Sequence, residues 1–312
     1  MKIKPTLQGF FLGVFILSGG WGQIASAGTS GLDVQKYTAE IDAWHARRVE
    51  HLRRDDGWLT LVGLFPLHEG DSSIGSSASC DLRLPEENLG TLGVIHAKGD
   101  HFRFTPSEKS ELQCDEKPLT TEIELRSDDT GSPTIVRRGS LSFYLIKRGE
   151  EYFIRAKDND SEVRRSFRGI DRFPVDPAWR IRAKWESYEP PRVLKTPNVL
   201  GQIGEEPLYG AIVFSWQGKT VRLHASGKPS DSLFLVFGDA TNEVSTYGGG
   251  RFLSIDSPAK DGTIIVDFNK AYDPPCVFTP YATCPLPPEG NTLPFAVTAG
   301  EKMWGEDSHS GS

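Results

Sequence analysis

The sequence predicts a mainly β protein: two antiparallel β domains, an N-terminal sandwich and a C-terminal sandwich or small barrel, with one N-terminal α-helix. Three observations predict it. Period-two alternation is clearest in WRIRAKWE, where Trp179, Ile181, Ala183 and Trp185 face one way and Arg180, Arg182, Lys184 and Glu186 the other. Helical spacing of useful length is confined to residues 33–54. The 32 Gly and 21 Pro, set among 17 Phe and 7 Trp, describe many turns between aromatic-rich strands.

The chain opens with MKIKPT, an apolar run from Leu7 to Leu17, and small residues ending Ala25-Ser26-Ala27. A charged start, an apolar segment too short to span a bilayer and an A-x-A site predict a signal peptide over 1–27. An uncleaved anchor is the alternative, but Gly19, Gly20, Gly22 and Gln23 interrupt the run. With no cysteine before Cys80, a lipid-modified start is not expected. The mature protein is therefore expected to be exported, periplasmic or extracellular. Cleavage shortens the chain from 312 to 285 residues and, with Lys2 and Lys4 gone, takes the formal charge from −7 to −9. That acidic excess argues against nucleic acid as a partner. No membrane span is expected after the leader.

The helix over 33–54 carries Tyr37, Ile41, Trp44 and Leu52 as an aromatic and aliphatic stripe for packing on the domain behind it. Residues 58–156 are expected to form the first sandwich. WLTLVGLFPL is a mostly apolar strand, HFRFT alternates, and LSFYLIKRGEEYFIRAKD reads as a hairpin turning at Arg148-Gly149-Glu150. Residues 157–178 form a connector, with Asp160 or Ser161 capping a short helical turn and RFPVDPAW extended by its prolines. Residues 179–304 make the second domain. Its one wet strand face implies an antiparallel sheet. AIVFSW and KTVRLHA pair across Gln217-Gly218, SLFLVF suits a central strand, and RFLSI, TIIVDF and LPFAVTAGEK complete the set. Residues 305–312 are expected to be a disordered tail.

The motifs that could carry chemistry lie near the C-terminal end. Gly248, Gly249 and Gly250 precede a strand rather than a helix, so they read as a tight connection and not as a phosphate cradle. No H-E-x-x-H or G-x-S-x-G occurs, and Cys276 with Cys284 supplies only two of the four ligands a structural zinc needs. No metal and no cofactor are expected. In TIIVDFN, period two puts Ile264, Val266 and Phe268 on one face, and Asp267 and Asn269 together on the other. That pair is either a ligand-binding edge or a partner for loop amides. Glu301 and Lys302 in AGEK could meet Asp267 and Arg251 as an acid–base cluster or as an ion network. Tyr272 stands beside them as a catalytic candidate, and Tyr247, Arg251, Asn269 and Lys302 are the ligand-binding candidates.

The four cysteines, Cys80, Cys114, Cys276 and Cys284, are an even number in an exported chain. Neighbourhood pairs Cys80 with Cys114 and Cys276 with Cys284. The second bridge would close PPCVFTPYATCPLPP, a loop its prolines already stiffen, and so add about 1–3 kcal/mol.

FRGIDRFPVDPAWRI, TYGGGRFL, DFNKAYDPPCVFTPYATCPLPP and AGEK resemble domain-of-unknown-function family 1684, and DGWLTLVGLFPLHEG resembles that family's opening. The resemblance runs over about 35–303 and implies no established activity. The chain departs from the family pattern at Asp273, where Asn is usual, and at Asn242, where Gly is common. SSIGSSASCDLRLPEENLGTLGVIHA looks like the strand–turn pattern of forkhead-associated domains, but Ser76 stands where their phosphate-binding arginine is expected. That likeness supports a sandwich and not its ligand. The function expected is a ligand-binding or structural module of the cell envelope, its partner an unknown small molecule or envelope component. The alternative is a hydrolase working through Asp267, Glu301 and Tyr272.

Overall fold

The computed structural model describes residues 32–85 and 89–305. The expected leader lies outside the described residues, as does the expected tail beyond Gly305.

Helix α1 spans Val34–Leu52, and the Asp33 side chain caps it by accepting the Lys36 N–H at 3.1 Å. Its stripe is buried at Tyr37, Ile41 and Leu52 and half-buried at Trp44. The chain then forms β1 (Leu61–Pro66), β2 (Gly70–Gly75), β3 (Leu82–Arg83), β4 (Thr91–Lys98), β5 (His101–Pro106), β6 (Gln113–Cys114) and β7 (Lys117–Pro118). It continues through β8 (Ile123–Glu124), β9 (Ile135–Arg138), β10 (Leu141–Arg148) and β11 (Glu151–Asp158). These make two sheets, ordered β1-β11-β10-β9-β6-β7 and β3-β2-β4-β5-β8, antiparallel except for the short β2/β3 pair. Phe104 of one sheet meets Phe143 of the other edge-on, ring centres 5.4 Å apart, in the core between them. The β10/β11 hairpin turns at Gly149-Glu150, with Arg148 opposite Glu151 and Gly149 at φ 60°.

Short helix α2 (Glu162–Ser166) follows, capped by Ser161. The second unit contains β12 (Arg180–Pro197), β13 (Ile203–Trp216), β14 (Lys219–Leu223), β15 (Leu233–Phe237), β16 (Arg251–Ile255) and β17 (Thr263–Asp267). Four of these form the sheet β14-β13-β12-β17, and β15 pairs with β16 alone. The buried face of β12 (Trp179, Ile181, Ala183, Trp185) shares a core with Ile264, Val266 and Phe268.

Three expectations need correction. SLFLVF is not a central strand of the larger sheet. It is apolar throughout because β15 separates two cores: Leu233, Leu235 and Phe237 face the main one, Phe234 and Val236 a second one containing Leu61, Phe252, Ala282 and Cys284. LPFAVTAGEK forms no strand. The carbonyls of Val297, Ala299 and Glu301 accept instead from the buried Arg251 guanidinium, so the backbone is satisfied without a ladder. Cys80 and Cys114 are free thiols. Cys80 precedes β3 with its Sγ 3.6 Å from Thr91 Oγ1, whereas Cys114 lies on β6 of the facing sheet. Packed sheets stand about 10 Å apart, too far for Cα atoms that a disulfide holds within about 7 Å. Cys276 and Cys284 are bonded, and their loop packs into the second core.

Candidate functional site

Two polar networks hold α1 against the second unit. In the first, Tyr37 donates its hydroxyl to Asp267 Oδ1 at 2.7 Å. Asn269 Nδ2 donates to the Tyr37 oxygen, to Asp267 Oδ1 and to the Asp176 carbonyl, while Asn269 Oδ1 accepts the Asp176 N–H. Burial, reinforced by the Asp267 carboxylate, pushes the Tyr37 phenol well above its usual range. Asp267 and Asn269 thus project together from the end of β17, and what they meet is a helix and a connector.

The second network gathers Arg251, Glu301, Tyr272 and Tyr247, and joins to them Asp273, Arg48 and His45. Arg251 and Glu301 have no exposed surface. Arg251 Nη2 bonds Asp239 Oδ2 and the Val297 carbonyl, each at 2.8 Å, while Nη1 bonds the Ala299 and Glu301 carbonyls. Asp239 is saturated in turn by the Thr241 N–H and hydroxyl and by the Val297 N–H. Glycines permit the close approach of backbone here. At Gly300, φ +79°, a Cβ would stand 2.5 Å from the Ala271 carbonyl; at Gly250, φ +87°, it would stand 2.6 Å from that of Phe237.

Glu301 is less complete. Its Oε2 accepts the Asp273 N–H at 2.7 Å, but Oε1 has no hydrogen-bond donor. Arg48 Nε lies 3.4 Å and His45 Nε2 3.9 Å from that oxygen, at ion-pair distances without hydrogen-bond alignment, and both nitrogens are themselves buried and unpartnered. Asp273 is fully buried with neither carboxyl oxygen in a hydrogen bond. Burial raises its affinity for a proton well above the usual carboxylate range, Glu301 adds to this, and Arg251, Arg48 and the nearby Trp304 N–H oppose it. Glu301 is raised by burial against the pull of Arg48. His45 is lowered by burial and by Arg172 and Arg48, and Tyr247 is raised by burial and by Asp273.

A pocket of about 320 Å³ opens beside this cluster, lined by Trp44, Arg48 and His51 of α1, Trp58, Ser254, Lys270 and Tyr272. Arg48 and Tyr272 are its link to the buried groups. The Arg48 guanidinium stacks 4.7 Å above the Tyr272 ring and donates from Nη2 to the Asp273 carbonyl at 2.9 Å. Tyr272 is raised by burial, with its Ser254 hydrogen bond and Arg48 opposing.

The structure therefore brings four of the sequence candidates together and sets three apart. Asp267 and Asn269 belong to the Tyr37 network, so the triad Asp267, Glu301 and Tyr272 is not one constellation. Lys302 lies over the Phe173 ring, 5.3 Å from its centre. Arg48, His45 and Asp273 were missed. Arg48 was legible in part, because it sits seven residues after Ile41 and four before Leu52, on the buried stripe of α1.

A larger cleft of about 1170 Å³ crosses the outer face of β2, β4 and β5. Two pairs of its charged groups meet each other, His96 Nδ1 with Asp71 at 2.7 Å and Arg103 with Glu122 at 3.0 Å, while Glu69 accepts the Gly99 N–H. Among the described residues no group of three or more His, Cys, Asp or Glu is placed to hold a metal, and no helix is long and apolar enough to cross a membrane.

No curated protein matches the chain. It is similar to the solved uncharacterized protein from gene locus rrnAC0354 of Haloarcula marismortui, at 34% identity over 45% of this chain and 78% of that one, with a TM-score of 0.38. It is also similar to a solved structure named Rv0020c_FHA, at 20% identity over 31% of this chain and 93% of that one, with a TM-score of 0.21. Residues 165–302, which carry Arg251, Tyr272, Asp273, the cysteine loop and Glu301, match the family model described as a protein of unknown function, DUF1684. The chain belongs to that family.

Proposed function

We propose that this protein is a ligand-binding module acting outside the cytoplasm, with its site in the pocket between α1, Trp58 and the second unit. One observation carries the reading. Beside an open pocket, the fold leaves Asp273, Glu301, His45 and Arg48 buried with polar atoms unpartnered, while the neighbouring Arg251–Asp239 pair is almost saturated. Unmade hydrogen bonds of this kind cost about 1–3 kcal/mol each. A scaffold gains nothing from keeping them, and Arg48, the one of the four that lines the pocket, is where a ligand would meet this unspent polarity. Placement outside the cytoplasm rests on the MKIKPT leader and agrees with a disulfide at Cys276–Cys284.

The test is native mass spectrometry of the mature protein taken from its export compartment, compared with the denatured mass. A retained small molecule, lost on denaturation and lost in Arg48→Gln, is the expected result. A bare mass, together with no thermal shift from a metabolite library, would overturn the reading.

A further inference from the structure

We infer that the pocket selects a small organic anion: a carboxylate or phosphate group attached to a flat ring. This rests on the ligand-binding reading and specifies it. Three basic side chains, Arg48, His51 and Lys270, and three aromatic ones, Trp44, Trp58 and Tyr272, line the pocket with Ser254, and no carboxylate joins them. Lys270 has no ion pair or hydrogen bond among the described residues, so its charge is uncommitted. Arg48 is held in place by the Tyr272 ring and the Asp273 carbonyl, and a guanidinium so fixed presents a fork suited to an oxyanion. The rings supply apolar walls on two sides: Trp44 and Tyr272 lie with centres 6.5 Å apart and planes at 51°, and Trp58 comes from the start of the first sandwich. A bare inorganic ion would leave those walls empty, and a neutral ring would leave the cations unused.

The buried counter-ion makes this selection depend on pH. Glu301 sits behind Arg48 and faces Arg48 and His45 of α1, Arg251 of β16, and Asp273 and Tyr272 of the loop; Arg172 stands next to His45. An anion in the pocket draws on the Arg48 charge that Glu301 otherwise holds. Glu301 then takes a proton more readily, so binding takes up a proton and strengthens as pH falls.

Calorimetry on the mature protein with benzoate and phenyl phosphate, against benzyl alcohol and benzylamine, tests the assignment. Both anions, or one of them, are expected to bind at least about tenfold more tightly than the neutral and cationic probes, the difference one well-placed charge contributes. Which anion leads tells a carboxylate site from a phosphate site. Lys270→Gln should weaken the anions about fivefold and leave the melting temperature unchanged, since no partner is lost. Glu301→Gln should tighten anion binding at neutral pH and remove the proton uptake that Glu301 contributes, read as a flatter pH profile for benzoate. Equal binding of all probes would overturn the anion assignment while leaving the pocket a ligand site. Unchanged anion affinity in Lys270→Gln would overturn it too. Binding of no probe, with a bare native mass, would overturn both readings; binding of no probe with a retained neutral or cationic molecule would overturn this one alone.

Discussion

Arg251 and Arg48 approach Glu301 from opposite elements, β16 and α1, and the fold treats them differently. Arg251 is fully buried and donates four hydrogen bonds, to Asp239 and three carbonyls, leaving only Nε without a partner. Both its terminal nitrogens are fully engaged, and its work is to replace the ladder that residues 297–301 lack. Arg48 retains 14% of its side-chain exposure, makes one hydrogen bond, and stands near a carboxylate oxygen it does not bond. A buried charge with its partners in place is architecture. A charge left short of partners at the wall of a pocket is available to something else.

The largest expected effect tests the first half of this contrast. Arg251→Met strands Asp239 and three carbonyls, and should lower unfolding free energy by about 3–5 kcal/mol in denaturant titrations. Arg48→Met should cost clearly less, because Glu301 can take a proton when its neighbour is gone. Equal losses from the two variants would break the comparison.

A middle-sized effect comes from the loop that follows Asp273. Replacing Cys276 and Cys284 together by alanine should cost about 1–3 kcal/mol, modest because prolines already restrict the unfolded loop. Calorimetric melting of oxidised, reduced and doubly substituted protein measures it. A negligible loss would mean that the loop's packing against Phe252 and Val236, rather than the bridge, holds Asp273 in place.

The smallest effect is a change of slope. Asp273 binds its proton more tightly folded than unfolded, so its contribution to stability is complete below the unfolded value near pH ~4 and is lost as pH rises through the folded value. Asp273→Asn should remove that loss: similar stability to wild type in mild acid, higher stability at pH ~8. Denaturation midpoints across this range decide it, and a wild-type stability that rises with pH would show Asp273 ionised in the fold.

The strand pattern was legible because alternation reports directly which side of a sheet is dry. WRIRAKWE, HFRFT and the hairpin at Gly149 needed nothing more. Legibility failed where one residue type serves two surroundings. SLFLVF reads as central because both its faces are covered, but two cores cover them rather than two neighbouring strands. LPFAVTAGEK reads as a strand because its backbone demand is invisible in sequence, and a distant arginine meets it. Cys80 and Cys114 are near in sequence, but Cys80 lies just before a strand of one sheet and Cys114 on the facing sheet. In the site, Tyr272, Arg251 and Glu301 could be picked as polar residues near the proline loop. Arg48 looked like one more charge on an amphipathic helix, and Asp273 like a small departure from a family pattern.

By itself the sequence determined a β-rich chain with a single long helix, a proline loop whose cysteines could join, and membership of a family through motifs concentrated after residue 165. It determined these because periodicity, turn chemistry and local spacing act over a few residues. Only the tertiary structure decided which buried charges are satisfied, that α1 closes over the second unit, and that Arg48 and Tyr272 face a pocket. Those depend on contacts between residues more than 200 positions apart, such as the Tyr37 hydroxyl with the Asp267 carboxylate and Arg48 with the Asp273 carbonyl, and desolvation acts on whatever the fold brings together.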